Sequence, residues 1–186
     1  MQGLHLATTR EINDFLASVE RKGLRMAQIA IGNIDDALDI LQDAMLGFVA
    51  RYADKPVEEC QPLFYRVLQS RITDWHRRNA VRSRWRVWFG RSDDQGDERE
   101  DMLANIADPG ALPSDAILLH QAEGEAIQAA LRRLPLRQQQ AFLLRAWEGL
   151  DTARTAFAMG CSEGSVKTHY SRAIHTLREI LEEYRP

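Results

Sequence analysis

A chain of 186 residues can form one medium domain or two small ones, and its 45% hydrophobic and 27% charged content is that of a soluble globular protein. No apolar run approaches the roughly 18–20 residues that span a bilayer, and the N-terminus lacks the features of a signal peptide, which predicts a cytoplasmic protein. The net charge of −3 excludes a uniformly basic protein.

The small net charge hides four blocks of alternating sign along the chain. Residues 1–64 carry −4, residues 65–91 carry +7, residues 92–125 carry −9 and residues 126–186 carry +3. Because electrostatic fields are screened beyond about 8–10 Å at physiological salt, each block acts locally. The second block can therefore attract an anionic partner although the whole chain is negative.

Helical periodicity prevails from the start of the chain. The first predicted element covers residues 10–31, as one helix with a broken apolar face or as two helices that meet near Gly23. The second follows Asp35, a candidate N-cap, and ends before Pro56, since the residue before a proline is disfavoured in the α region. Its predicted inward face is Leu38, Leu41, Met45, Phe48 and Tyr52.

The third predicted helix starts after Pro62 and is rich in arginine. Its predicted inward face is Leu63, Val67, Leu68, Ile72 and Trp75. Residues 91–114 then combine acidic residues with Gly and Pro, a composition that cannot bury a core and is typical of a flexible linker. The sequence therefore predicts an all-α fold of two small helical domains, residues 1–90 and 115–186, joined by this acidic linker.

Three further helices are predicted over Leu136–Glu148, Thr152–Met159 and Ser162–Glu183, with Pro135 in the first turn of the first one. Gly160 lies where a helix C-terminus needs a positive φ, and Ser162 can cap the next helix. A short helix, a glycine turn and a longer helix with a basic outer face are the geometry of a helix-turn-helix.

Polar and basic side chains share the outer face of the last predicted helix. Lys167 and Arg172 can contact phosphate or a guanine edge, and Thr168 and Ser171 can take either role. The alternative is an ordinary surface helix, since exposed helix faces are polar without binding a ligand. The inward stripe is predicted to be Val166, Tyr170, Ala173, Leu177 and Leu181.

The C-terminal sequence "LRRLPLRQQQAFLLRAWEGLDTARTAFAMGCSEGSVKTHYSRAIHTLREIL" resembles the promoter −35 recognition domain of sigma-70 family factors. The shared features are Leu-Pro before a Gln/Arg-rich helix start, "EGL" before the next helix, and "SEGSVKTHYSRA". Thr155 and Phe157 depart from the family pattern, and "SVKTH" also resembles LuxR-type regulators. The resemblance implies −35 contacts by Ser165, Lys167, Thr168, His169, Ser171 and Arg172.

The stretch "IDDALDILQDAMLGFVARY" resembles the sigma-factor helix that docks on the β′ clamp of RNA polymerase. The residues that match this motif, and to which the resemblance gives polymerase binding, are Asp39, Gln42, Asp43 and Phe48. Independently of the resemblance, Asp36, Asp39 and Asp43 share a helix face that can meet a basic partner. A solvated acidic face is the alternative interpretation.

The next stretch, "PLFYRVLQSRITDWHRRNAVRSRWRVW", resembles the segment that captures the promoter −10 element as a single strand. Interleaved aromatic and basic residues suit that role, because unstacked bases need aromatic surface and separated backbones need positive charge. Ser70 stands where many family members have Asn, and a hydroxyl cannot form the bidentate hydrogen bonds that an amide makes with a base edge. The implied −10 contacts are Ser70, Arg71, Trp75, His76, Arg77, Arg78, Arg82 and Arg84, and Trp75 is equally compatible with a core role.

Together these segments resemble the extracytoplasmic-function group of sigma factors over nearly the whole chain. The resemblance implies a dissociable subunit that binds core RNA polymerase, at the β′ clamp and β flap, and promoter DNA; an anti-sigma factor is a further partner that it allows. A stand-alone helix-turn-helix regulator is the alternative. The five histidines and the cysteines Cys60 and Cys161 match no catalytic or metal-ligand spacing, so no enzyme activity, cofactor or metal site is predicted.

Overall fold

The computed structural model describes residues 8–88 and 124–182, with the side chains of 82–88 excepted. Within these ranges the chain is helical and contains no strand, which confirms the all-α prediction. The predicted acidic linker over 91–114 lies outside the described residues. The predicted domain boundaries near residues 90 and 115 also lie outside them and stay predictions.

The first helix, α1 (Thr9–Ile31), is continuous, so the alternative of two helices that meet near Gly23 is wrong. It begins with a capping box between Thr8 and Glu11. Gly23 is buried, and a Cβ at this position would lie 3.0 Å from the Leu41 side chain and 3.4 Å from the Phe64 ring. The glycine therefore permits a close approach of neighbouring helices rather than a break.

The second helix, α2 (Ile34–Tyr52), ends where the sequence predicts but begins at a different cap. Asn33 accepts a hydrogen bond from the Asp36 backbone at 3.0 Å, so the prediction of Asp35 as the N-cap is wrong. The buried face consists of Ala37, Ile40, Leu41, Ala44 and Phe48. Leu38, predicted to point inward, is 46% exposed, because the buried face of the helix is centred on Ala37 and Ala44 instead.

The third helix, α3 (Val57–Trp88), starts before Pro62 rather than after it. Pro62 lies inside the second turn, where its missing N–H removes one backbone hydrogen bond without ending the helix. Phe64 and Tyr65 are fully buried, and the sequence prediction had missed both. The Phe64 ring packs edge-on against Phe15 and Phe48, with centroids 6.1 and 6.0 Å away. This aromatic cluster forms the centre of the first module, defined as α1–α3.

The second module contains a helix over residues 124–132 (α4), α5 (Leu136–Phe142), α6 (Thr152–Met159) and α7 (Glu163–Glu182). The predicted positions of the last three helices are confirmed to within a residue, except that α5 passes into an unpredicted π-helical turn over Leu143–Trp147. Pro135 precedes α5 rather than lying in its first turn.

The two modules touch where α6 lies against α3. The buried apolar residues of both modules belong to one connected cluster. In the part of the chain described, no helix combines the length and apolarity needed to cross a bilayer.

Candidate nucleic-acid interface

A glycine turn and a serine cap set the start of α7. Gly160 adopts φ +62°, the left-handed conformation that the sequence predicts for this position. The Ser162 hydroxyl accepts a hydrogen bond from the Ser165 backbone at 3.1 Å and lies 2.9 Å from the Ser165 hydroxyl. With these local contacts only three residues separate the end of α6 from the start of α7, which confirms the predicted helix-turn-helix.

Buried side chains on the inner face hold α7 in place. Val166, Ala173 and Leu177 are buried, as the sequence predicts, whereas Leu181 is only half-buried. Tyr170 is half-buried and its ring contacts two other side chains. Its ring stacks on Phe142 with centroids 6.3 Å apart, and the Arg145 guanidinium lies 5.7 Å from its centroid. The outer face of α7 is therefore presented by a fixed scaffold.

The outer face of α7 carries donors and no carboxylate between residues 164 and 178. Of the six residues predicted to contact the −35 element, Lys167, Thr168, Ser171 and Arg172 are exposed, whereas Ser165 and His169 are half-buried. The Thr168 hydroxyl donates to the Gly164 carbonyl at 3.0 Å, which leaves its oxygen free to accept. The arrangement offers two cations and two hydroxyls to an anionic polymer.

Thr155, one of the two departures from the family pattern, is fully buried under the turn. Its hydroxyl donates to the Asp151 carbonyl at 2.7 Å, so the polar group is satisfied inside the helix. The other departure, Phe157, is 43% exposed.

The basic stretch of α3 presents a second group of predicted contacts. Ser70, Arg77 and Arg78 are exposed, and Arg71 is half-buried. Arg77 forms an exposed ion pair with Asp74 at 3.7 Å. The side chains of Arg82 and Arg84 lie outside the described residues.

Trp75 and His76 are half-buried and meet edge to face, with ring centroids 5.1 Å apart. Trp75 packs on the buried core through part of its surface, which is compatible with both interpretations of this residue. Burial lowers the pKa of His76, although a hydrogen bond to the Ala30 backbone opposes that shift. His76 is therefore neutral at physiological pH and supplies no positive charge for phosphate.

A recess of about 270 Å³ connects this stretch to α2. Asp36, Asp39 and Asp43 line it from α2, while Trp75 and Arg78 line it from α3. The predicted polymerase-binding carboxylates and the predicted −10 contacts are thus neighbours in space. The sequence did not predict this proximity, because the residues lie on two different helices and their spacing along the chain does not show how the helices pack.

The outer face of α2 is both acidic and apolar. Asp39, Gln42 and Asp43 are exposed there, as the predicted role requires. Phe48 is fully buried in the aromatic cluster, so the assignment of its side chain to a partner surface is corrected to a core role. The exposed apolar side chains of this helix, which the sequence prediction had missed as surface residues, are Leu38, Leu46 and Val49.

Residues 124–177 match the protein family described as "Sigma-70, region 4". The chain is similar to the RNA polymerase sigma-E factor of Streptomyces avermitilis, at 27% identity over 92% of this chain and 86% of the relative. It is also similar to the ECF RNA polymerase sigma factor BldN of Streptomyces coelicolor, at 41% identity over 37% of this chain and 26% of the relative.

Among the solved structures that share this fold, two cover 95% of this chain. One is the sigma factor RpoE of Bartonella quintana in complex with the anti-sigma factor NepR, with a TM-score of 0.67, 20% identity and 97% of that chain covered. The other is CnrH in complex with the cytosolic domain of CnrY, with a TM-score of 0.61, 16% identity and 91% of that chain covered.

Proposed function

We propose that this chain is a sigma factor of the extracytoplasmic-function group, in which α2 docks on core RNA polymerase, α3 captures the −10 element and α7 reads the −35 element. The protein acts in the cytoplasm by directing another enzyme to promoters. The observation that carries this assignment is the presence of an acidic, apolar α2 face and a helix-turn-helix with a carboxylate-free outer face in one chain.

Polymerase docking rests on the exposed residues of α2. Asp39 and Asp43 offer carboxylates to a basic partner helix, and Gln42 between them offers both a donor and an acceptor. Leu38 and Leu46 add apolar surface, which supplies affinity that exposed charges alone do not. Charge on this face sets the rate and orientation of encounter, while the leucines favour a long-lived complex.

Capture of the −35 element rests on Lys167 and Arg172, which neutralise phosphates or bind guanine edges, with Thr168 and Ser171 beside them. Capture of the −10 element rests on Ser70, Arg71, Trp75, Arg77 and Arg78, together with the predicted contacts Arg82 and Arg84. A single hydroxyl at Ser70 can bond one base edge but cannot form the bidentate pattern of an amide.

An anti-sigma factor is a further proposed partner. The sigma factor RpoE of Bartonella quintana, whose fold this chain shares, is bound to the anti-sigma factor NepR in its solved structure, and CnrH, another protein of this fold, is bound to the cytosolic domain of CnrY. A purified anti-sigma factor would compete with core polymerase for this chain.

The proposed function is tested by gel filtration of the full chain with bacterial core RNA polymerase. We expect the wild type to co-migrate with polymerase and the variant Asp39→Arg/Asp43→Arg to elute alone. Asp14→Arg/Glu20→Arg is the matched control, because it makes the same charge change at exposed positions of α1. Absence of co-migration by the wild type, together with tight sequence-specific binding to duplex DNA without polymerase, would replace the proposal with a stand-alone regulator.

A further inference from the structure

Three arginines drawn from both modules line one cleft. Arg66 and Arg77 come from α3 and Arg137 from α5, and the cleft, of about 300 Å³, lies between them and the end of α6. Asp74 is the one carboxylate among its lining residues in the described part of the chain. Because like charges that share a cleft repel each other, three guanidiniums beside a single carboxylate leave an excess of positive charge that favours an anionic ligand.

The backbone of α6 holds two of these guanidiniums in place. Arg66 donates a 2.6 Å hydrogen bond to the Phe157 carbonyl. Arg137 donates to the Met159 carbonyl at 2.8 Å and to the Gln140 side chain at 3.3 Å. Both carbonyls lie in the last turn of α6, whose helix dipole contributes only about half a negative charge. Since a guanidinium has five N–H donors, these bonds fix its orientation and leave donors for a ligand.

The third guanidinium is held more loosely. Arg77 pairs with Asp74 at 3.7 Å, and both side chains reach solvent, so the pair is weak and can rearrange around a ligand. Ser70, which is exposed, and Thr73 add hydroxyl groups to the same wall of the cleft. The cleft therefore combines guanidiniums, which bind anions, with hydroxyl and carboxylate oxygens, which accept hydrogen bonds from the hydroxyls of a ligand.

These lining groups define the class of ligand. The planar fork of an arginine binds two phosphate oxygens at once. A volume of about 300 Å³ is at the lower end of the range for small-molecule sites. No aromatic side chain of the described residues lines the cleft, so a nucleobase would find no ring on which to stack.

We propose that the cleft binds a small phosphorylated polyol, such as a sugar bisphosphate. Its phosphates lie between the guanidiniums of Arg66, Arg77 and Arg137, and its hydroxyls donate hydrogen bonds to Asp74 and Ser70. The site is independent of the proposed function, because it is a property of the free chain and is measured without polymerase or promoter.

A single strand of DNA presents the same phosphate chemistry as this ligand. Ser70 and Arg77 are already among the proposed −10 contacts, whereas Arg66 and Arg137 are not. Free hydroxyl groups distinguish the two sources of phosphate, since the internal sugars of DNA lack the 2′-hydroxyl and carry phosphate on their other oxygens. The test therefore compares a small phosphorylated polyol with a DNA strand.

Isothermal titration calorimetry of the full-length chain at about 150 mM salt tests the site, with fructose 1,6-bisphosphate, inorganic pyrophosphate and a short oligothymidine strand as separate probes. We expect both small probes to bind at one site per chain. The sugar bisphosphate should bind more tightly than pyrophosphate, because its hydroxyls reach Asp74 and Ser70.

Arg66→Gln and Arg137→Gln should each weaken binding of the sugar bisphosphate by about tenfold or more, because each variant loses hydrogen bonds between charged groups. Arg137→Lys should bind with intermediate affinity, since lysine keeps the charge but not the planar fork. Arg10→Gln is the matched control, with the same charge change at an exposed position of α1, and should bind as the wild type does. Thermal unfolding without ligand checks that each variant is folded at the temperature of the titration.

Two results would overturn the site: no binding of either small probe by the wild type, or an equal loss of affinity in Arg10→Gln, which would indicate attraction by net charge alone. Binding of the oligothymidine strand without binding of the small probes would assign the cleft to nucleic acid instead. If Arg137→Gln fails to fold, Arg66→Gln and Arg137→Lys still decide. Failure of the chain to bind polymerase would refute the proposed function and leave these titrations unchanged, so the two failures are distinguishable.

Discussion

Phe48 separates a core role from a docking role on the same helix. Its ring is fully buried, with centroids 5.5 Å from Phe15 and 6.0 Å from Phe64. Truncation of a buried phenylalanine to alanine costs about 3–5 kcal/mol, because apolar contacts are lost and a cavity remains. A typical domain has only about 5–15 kcal/mol of unfolding free energy, so Phe48→Ala should leave the first module marginally stable.

Phe48→Leu isolates the packing contribution, since it keeps the site apolar and should cost about 1.5 kcal/mol. We expect it to bind core polymerase as the wild type does. Asp39→Ala should have the opposite pair of effects. The free energy of unfolding should change by no more than about 0.5 kcal/mol, whereas the affinity for core polymerase should clearly fall.

Urea unfolding followed by circular dichroism gives the stability of each variant, and titration with core polymerase below the unfolding transition gives the affinity. A folded Phe48→Leu protein with a tenfold loss of polymerase affinity would refute the reasoning, because it would require direct contact by a side chain that the structure buries.

The remaining predictions concern the helix-turn-helix and the titrating groups. Gly160→Ala should lower the free energy of unfolding by about 1–2 kcal/mol, since a φ of +62° is strained for alanine. Ser162→Ala should lower it by about 1 kcal/mol, because the helix cap is lost. An unchanged midpoint of thermal unfolding in either variant would contradict the role given to that residue. Lys167→Ala should weaken binding of the polymerase complex to promoter DNA and reduce the slope of log affinity against log salt by about 0.9, whereas an unchanged slope would exclude a phosphate contact. Burial lowers the pKa of His76, so this side chain binds a proton more readily in the unfolded state than in the folded state. The stability of the protein should therefore fall as the pH drops through 6.5, the ordinary pKa of histidine. Urea titrations at pH 7.5 and 5.5 should show a smaller difference in stability for His76→Asn than for the wild type. Burial also raises the pKa of the Cys161 thiol, partly opposed by Arg137, so alkylation by iodoacetamide at pH 8 should be slower in the folded chain than in urea.

The second module was predictable to within a residue because its signals are local. Gly160 must take a positive φ and Ser162 must cap the following helix, and both requirements act within a few residues of the boundary that they set. The outer face of α7 followed from periodicity once these bounds were known. The π-helical turn carries no comparable local signal, and the sequence prediction extended an ordinary helix through it.

The sequence predictions that were wrong in the first module concern features that depend on packing between neighbouring helices. Asn33 and Asp35 are both good capping residues, and only the observed geometry selects Asn33. The rotation of α2, which exposes Leu38 and buries Phe48, is set by close packing on α1 and α3. Contacts between groups more than 100 residues apart, such as Lys22 with Glu148, have no signature in local sequence.

The recess shared by α2 and α3 has a thermodynamic consequence. Arg78 there lies beside the carboxylates of Asp36, Asp39 and Asp43, so in the free chain it has intramolecular anions near it as well as any DNA phosphate. If a basic polymerase helix binds those carboxylates, as proposed, their attraction on Arg78 weakens and DNA phosphate competes for it more easily. By linkage, DNA held at Arg78 would strengthen polymerase binding by the same factor, making the two associations mutually reinforcing rather than merely sequential.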